Sequence, residues 1–118
     1  MTNRLIVPNI RLPKLTYEAI EEIRWRERKA SKSECARWLL SRAFPDVLDI
    51  SDELLWRVHV EGVTDNKMSV ELPPKLYEQV EEFRQQRKIP SRAEAIRALL
   101  RYAIDQYSRD QERRPRKP

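Results

Sequence analysis

A mainly helical fold, built from one strand–helix–helix unit used twice, follows from three observations. The first is repetition: residues 7–44 and 67–104 align without a gap at a separation of 60 residues, and 13 of the 38 pairs are identical. Others exchange one apolar group for another, as in Ile10/Val70, Ile20/Val80, Ile23/Phe83 and Ala36/Ile96. The second is a change of hydrophobic period inside each copy, from the alternation of a strand to the wider spacing of an amphipathic helix. The third is size. A unit of roughly 40 residues buries too little surface to be stable alone, so the copies are expected to complete each other in a single compact domain spanning residues 1–118.

The elements are clearest in the second copy. Lys67-Met68-Ser69-Val70-Glu71-Leu72 alternates polar and apolar residues, which predicts a short strand with Met68, Val70 and Leu72 inward and Lys67, Ser69 and Glu71 outward. Pro73-Pro74 stops it. Proline suits the first turn of a helix, so a helix over about 74–88 follows, burying Leu76, Val80 and Phe83. After the break at Ile89-Pro90, Ser91-Arg92-Ala93-Glu94 reads as a capping box that starts a helix with Ala95, Ile96, Leu99, Leu100 and Ala103 as its apolar stripe. The first copy repeats this order: a strand over 7–12, a helix over about 14–29, and the capping box Ser31-Lys32-Ser33-Glu34 before Ala36, Leu39, Leu40 and Ala43.

Residues 45–66 link the copies. Ser51-Asp52-Glu53-Leu54-Leu55-Trp56 predicts a capped helix reaching Glu61 with Gly62 as its stop, although Trp56, Val58 and Val60 also alternate as a strand would. Trp25 and Trp38, which correspond to Gln85 and Ala98, point away from the apolar stripes. The linker is expected to cover them, through Trp56, Leu55 or Val58, the alternative being a contact between neighbouring molecules on a polyanionic partner. With one cysteine, Cys35, one histidine, His59, and one glycine, Gly62, the chain offers no internal disulfide, no zinc-type cluster and no phosphate-cradling glycine loop. Neither cofactor, metal nor enzymatic activity is expected. Cys35 reads as a small packing residue and His59 as part of a polar face. No apolar run is long enough for a membrane span, and a net charge of +5 permits a polyanionic partner.

Taken in this order and twice over, the strand Lys-Met-Ser-Val-Glu-Leu-Pro, the two helix lengths and the serine-capped second helix resemble the ribbon-helix-helix family of DNA-binding proteins, of the Arc and MetJ repressor type. The resemblance covers residues 7–44 and 67–104. It implies a mainly α fold with a two-stranded antiparallel ribbon: a ribbon-helix-helix pseudo-dimer formed by two repeats in one chain, in which the ribbon enters the major groove. In architecture it is similar to the tandem ribbon-helix-helix accessory proteins of conjugative DNA-processing complexes. Carried over by position, the base-reading candidates are Val7, Asn9 and Arg11 in the first strand and Lys67, Ser69 and Glu71 in the second. Arginine and lysine suit guanine, asparagine suits adenine, and a glutamate accepts from cytosine. Glu71 could instead neutralise Arg11 or Lys67 across the ribbon. Pro8 falls at an inward strand position.

The start of each capped helix supplies the second class of candidate. Unpaired N–H groups and the positive end of the dipole attract an anion, so Ser31, Lys32 and Ser33, with Ser91 and Arg92, are expected to hold DNA phosphates on either side of the ribbon. Beyond Ile104 a basic tail, residues 105–118 with Arg113, Arg114, Arg116 and Lys117, is expected to end in disorder and to assist electrostatically. The function that follows is sequence-specific binding of double-stranded DNA, as a transcriptional repressor in the cytoplasm, associated with the nucleoid. The alternatives are an accessory factor of plasmid transfer or partition and, less favoured, an antitoxin. Cooperative self-association on DNA fits this reading; a membrane or a small-molecule ligand does not enter it.

Overall fold

The computed structural model describes residues 5–113. Along the chain run β1 (Leu5–Arg11), α1 (Lys14–Arg26), α2 (Lys32–Ala43), a 3-10 segment (Phe44–Asp49), α3 (Asp52–Val60), β2 (Lys67–Leu72), α4 (Pro74–Gln86) and α5 (Arg92–Arg113). The strands pair antiparallel as a two-stranded sheet. Backbone bonds extend this pairing past the end of β1, with Leu12 N–H donating to the Asn66 carbonyl at 3.0 Å and Thr64 N–H to the Leu12 carbonyl at 3.2 Å. Beneath it α2 packs against α5 and against β2, and the other helices close around that pair.

Each apolar residue assigned to the core by periodicity on α2, α4 and α5 is buried, and Val70, Leu72, Leu12 and Ile10 seal the underside of the ribbon. The joint between strand and helix is the same in both halves. Pro13 and Pro73 adopt nearly equal backbone angles, and their carbonyls accept from Tyr17 N–H and Tyr77 N–H at 3.0 Å. Cys35 is fully buried among these side chains, and burial pushes its thiol up to about 11.

Where the halves differ, single residues account for it. In β1 the pairing slips: Val7 faces Val70 and Ile10 faces Met68, so Pro8 and Asn9 together oppose Ser69. This is a β-bulge, and its sequence suits it. Proline has no N–H to offer the ladder, and asparagine tolerates the left-handed backbone (φ 53°) that the bulge imposes. Pro8 is therefore exposed rather than inward. The second difference is at the end of the last helix of each half. Pro45 follows α2 at once and a proline cannot continue its hydrogen bonding, so the chain tightens into the 3-10 segment. Asp105 stands at the equivalent position, and α5 continues through it to Arg113, 22 residues in all.

That extension corrects two expectations. Residues 105–113 are helical rather than tail, and Arg114, Arg116 and Lys117 lie outside the described residues. The cover for Trp38 also comes from α5 and not from the linker: Tyr107 meets it edge-on at 5.9 Å, and the Tyr107 hydroxyl donates to Glu27 at 2.8 Å. Lys29 and Arg42 flank the same indole at 4.8 Å each. Trp25 and Trp56 remain exposed. The linker forms a helix rather than a strand, with Ser51 as its cap. It ends at Glu61 in an extended conformation, and Gly62 does not take the left-handed form that a glycine stop employs. Ion pairs of Asp52 with Arg87 (2.7 Å) and Glu61 with Arg101 (2.9 Å) fasten α3 to the second half.

α1 and α4 end alike, with Arg28 and Lys88 left-handed at φ 55° and the next residue's N–H closing back to Arg24 and Arg84 at 2.9 Å. This helix stop favours glycine, because a side chain in that conformation costs roughly 1–2 kcal/mol while glycine's own flexibility returns about half of the gain. Arg28→Gly and Lys88→Gly should each raise stability, by a few tenths to about 1 kcal/mol. Urea denaturation is the measurement, and a lower midpoint in both variants would contradict the assignment.

Candidate nucleic-acid interface

Three side-chain groups stand on the solvent face of the ribbon. At one end Arg11 and Lys67 are direct cross-strand partners, both exposed. Like charges placed opposite each other on a sheet repel, and neither side chain forms an ion pair among the described residues that would offset this. In the middle, Ser69 faces the bulge, and its hydroxyl accepts from Asn9 N–H at 3.4 Å. At the other end Glu71 stands opposite Ile6. Its carboxylate lies 3.8 Å from Arg37 of α2, and the register sets it at the far end of the ribbon from Arg11 and Lys67, the partners that one of its two readings gives it.

The bulge also reverses the first strand upstream of itself. Val7, carried over by position to the base-reading face, is only 8% exposed and belongs to the core, whereas Ile6 is 58% exposed on the opposite face. Ile6 is the residue that alternation missed. The signal available was Pro8-Asn9, a pair of turn and bulge formers inside a strand pattern. Asn9, Arg11, Lys67 and Ser69 are exposed as expected.

Arg37 and Arg97, identical in the two repeats, support the strands from below in different ways. Arg97 donates to the Arg11 carbonyl at 3.3 Å, and burial lowers its pKa. Arg37 donates to Ser33 Oγ at 3.3 Å, and that hydroxyl also accepts from Glu71 N–H at 3.1 Å. Ser33 therefore ties β2 to the start of α2, a task that its counterpart Ala93 cannot perform.

The starts of α2 and α5 are built alike. Ser31 and Ser91 cap them, each accepting from the backbone N–H three residues on at 3.1 Å. Glu34 reaches back past the first cap and accepts from Ala30 N–H at 2.8 Å, but Glu94 turns to His59 of α3, 2.9 Å from Nδ1. Beside each cap a basic side chain lies over a tyrosine ring, Lys32 over Tyr17 at 4.6 Å and Arg92 over Tyr77 at 4.7 Å. Each also meets a carboxylate of the preceding helix: Lys32 is 3.5 Å from Glu21, and Arg92 Nε bonds Glu81. The bond to the Tyr17 hydroxyl, with Glu21 nearby, raises the Lys32 pKa. The result is two positive helix ends, one on each half of the ribbon's support, each with a cation held in a fixed position. Such ends attract phosphate.

Hydrogen bonds from Arg92, and then from Arg84, hold the Glu81 carboxyl below the ordinary carboxylate range against the opposing effect of burial. A carboxyl depressed in the folded state stabilises above its unfolded pKa, about 4.3, and loses that contribution as pH falls through the folded value. Glu81→Gln should therefore lose less stability than the parent chain between pH 7 and pH 3. Denaturant midpoints at the two pH values measure this, and equal losses in the two chains would contradict it.

Among the described residues no helix is long and apolar enough to cross a membrane, and no group of three His, Cys, Asp or Glu side chains is placed to hold a metal ion. No curated protein and no solved structure matches the chain. Residues 67–107, from the first residue of β2 through the Tyr107 that covers Trp38, match the model of the ribbon-helix-helix proteins, copG family, which are DNA-binding transcription regulators.

Proposed function

We propose that the chain is a single-chain ribbon-helix-helix pseudo-dimer that binds double-stranded DNA sequence-specifically, with its β-ribbon in the major groove, and that it acts as a transcriptional repressor. The carrying observation is the facing pair Arg11 and Lys67 on the exposed side of the ribbon. Two cations opposed at that spacing weaken the sheet unless an electronegative partner lies against both, and guanine O6 and N7 offer one. A two-stranded ribbon fits a groove about 12 Å wide. The starts of α2 and α5 fix the register by holding phosphates, through Ser31, Lys32, Ser91 and Arg92 and the first-turn N–H groups. Ser33 contributes through its backbone, since its hydroxyl is engaged with β2. The repressor role rests on the family matched by residues 67–107.

The two strands carry unlike residues, so one molecule reads an asymmetric subsite. A symmetric operator then requires two molecules in opposite orientation, for which self-association on DNA is the natural arrangement.

Selection from a random duplex library should return a non-palindromic core for the monomer. Arg11→Ala should cost about 1–3 kcal/mol and relax preference at one position. Arg92→Ala should weaken all sequences alike and flatten the salt dependence by roughly one unit. Equal behaviour of the two variants in sequence preference would contradict the division between base reader and phosphate holder.

A further inference from the structure

We propose that Ile6, carried to the outer face by the bulge, reads the 5-methyl group of a thymine at the Glu71 end of the ribbon; this rests on the DNA-binding reading above. Three observations support it. Counting inward positions back from Ile10 by strict alternation would bury Pro8 and Ile6 and expose Val7. The extra residue at Pro8–Asn9 inverts that order, leaving Val7 8% and Ile6 58% exposed. An isoleucine there gains little for the fold, because its cross-strand partner is Glu71 and not an apolar side chain. It shares a face with Arg11, Lys67 and Ser69, so a duplex laid against them is laid against Ile6 as well.

The chemistry of the two ribbon ends is then complementary to the two classes of base edge. The cationic end, Arg11 and Lys67, suits the acceptors of a purine. The Ile6 end offers an apolar surface, which matches the thymine methyl, a major-groove feature of that pyrimidine. Val7 cannot take this part, being packed against the core. The bulge thus does more than bend the strand: it chooses which branched aliphatic residue faces the DNA.

Removing one methyl group tests the idea directly. From the site selected by the parent chain, each thymine is replaced singly by deoxyuridine and affinities are measured for the parent chain, Ile6→Ala and Val7→Ala. The parent chain should bind about fourfold more weakly at one position, the loss expected for one methyl group returned to water. Ile6→Ala, altered at an exposed position, should melt like the parent chain and bind thymine and uracil duplexes equally at that position. Val7→Ala should melt earlier and keep the difference. Uracil tolerated everywhere, a selected site without thymine at that end, or a difference that survives in Ile6→Ala would overturn the proposal. If Arg11→Ala still relaxes its own position, the DNA reading stands while the Ile6 assignment falls. If the parent chain shows no sequence preference at all, both fall.

Discussion

Pairing of β1 with β2 is the interaction on which everything else depends, because neither repeat contains a second strand or enough apolar surface to stand alone. A lone strand leaves its backbone groups unpaired, and a strand with two helices has no second face to close against. When the two copies meet, the strands satisfy each other and Ile10, Leu12, Val70 and Leu72 form one ceiling over α2 and α5. The core is thus shared between halves, and so is the exposed face: Arg11 and Lys67 become neighbours only through that pairing. Fold and candidate interface therefore rise or fall together.

Two similar but unlike units in one chain leave the halves free to differ, and the differences lie where a symmetric dimer could not place them. Pro8-Asn9 bulges one strand only. Pro45 stops one second helix, whereas Asp105 lets the other run on to cover Trp38 in the first half. Ser33 bonds the backbone of β2, while Arg97 supports the carbonyl of Arg11. The two positive helix ends are kept nearly equivalent, down to the tyrosine beneath each cation. The surface assigned to phosphates is conserved in form between the halves, and the surface assigned to bases is not. That division matches the chemistry, since the DNA backbone is the same on both sides of a site and the bases are not.

Most of this architecture is legible in the chain, for physical reasons. The period of the apolar residues on α2, α4 and α5 identifies their buried faces, and Ser31, Ser51 and Ser91 mark three helix starts through a bond that only a short polar side chain makes. Alternation places Lys67 and Ser69 outward, and the family resemblance, carried over by position, places Asn9 and Arg11 there as well. Alternation fails at Val7, because one inserted residue inverts every position before it, and the dipeptide that announces the insertion is also compatible with an ordinary edge strand. Polarity past Ile104 concealed the extension of α5, which buries a single residue, Tyr107, over 105–113. The partners of Trp38, Lys32 and Arg92 were likewise beyond reach, since contacts between separate helices leave no mark in local pattern.

The claim at the centre is that the two strands pair within one molecule. Arg11 and Lys67 face each other directly and lie outside the core, so cysteines there can be bridged without disturbing packing, in a chain whose own cysteine is replaced by Cys35→Ala, the residue that position 95 already carries. Mild oxidation of Arg11→Cys with Lys67→Cys, followed by non-reducing electrophoresis and mass measurement, is the test. The account predicts a bridged species at the mass of one chain, 14.2 kDa, independent of protein concentration. A product of twice that mass, growing with concentration, would contradict it.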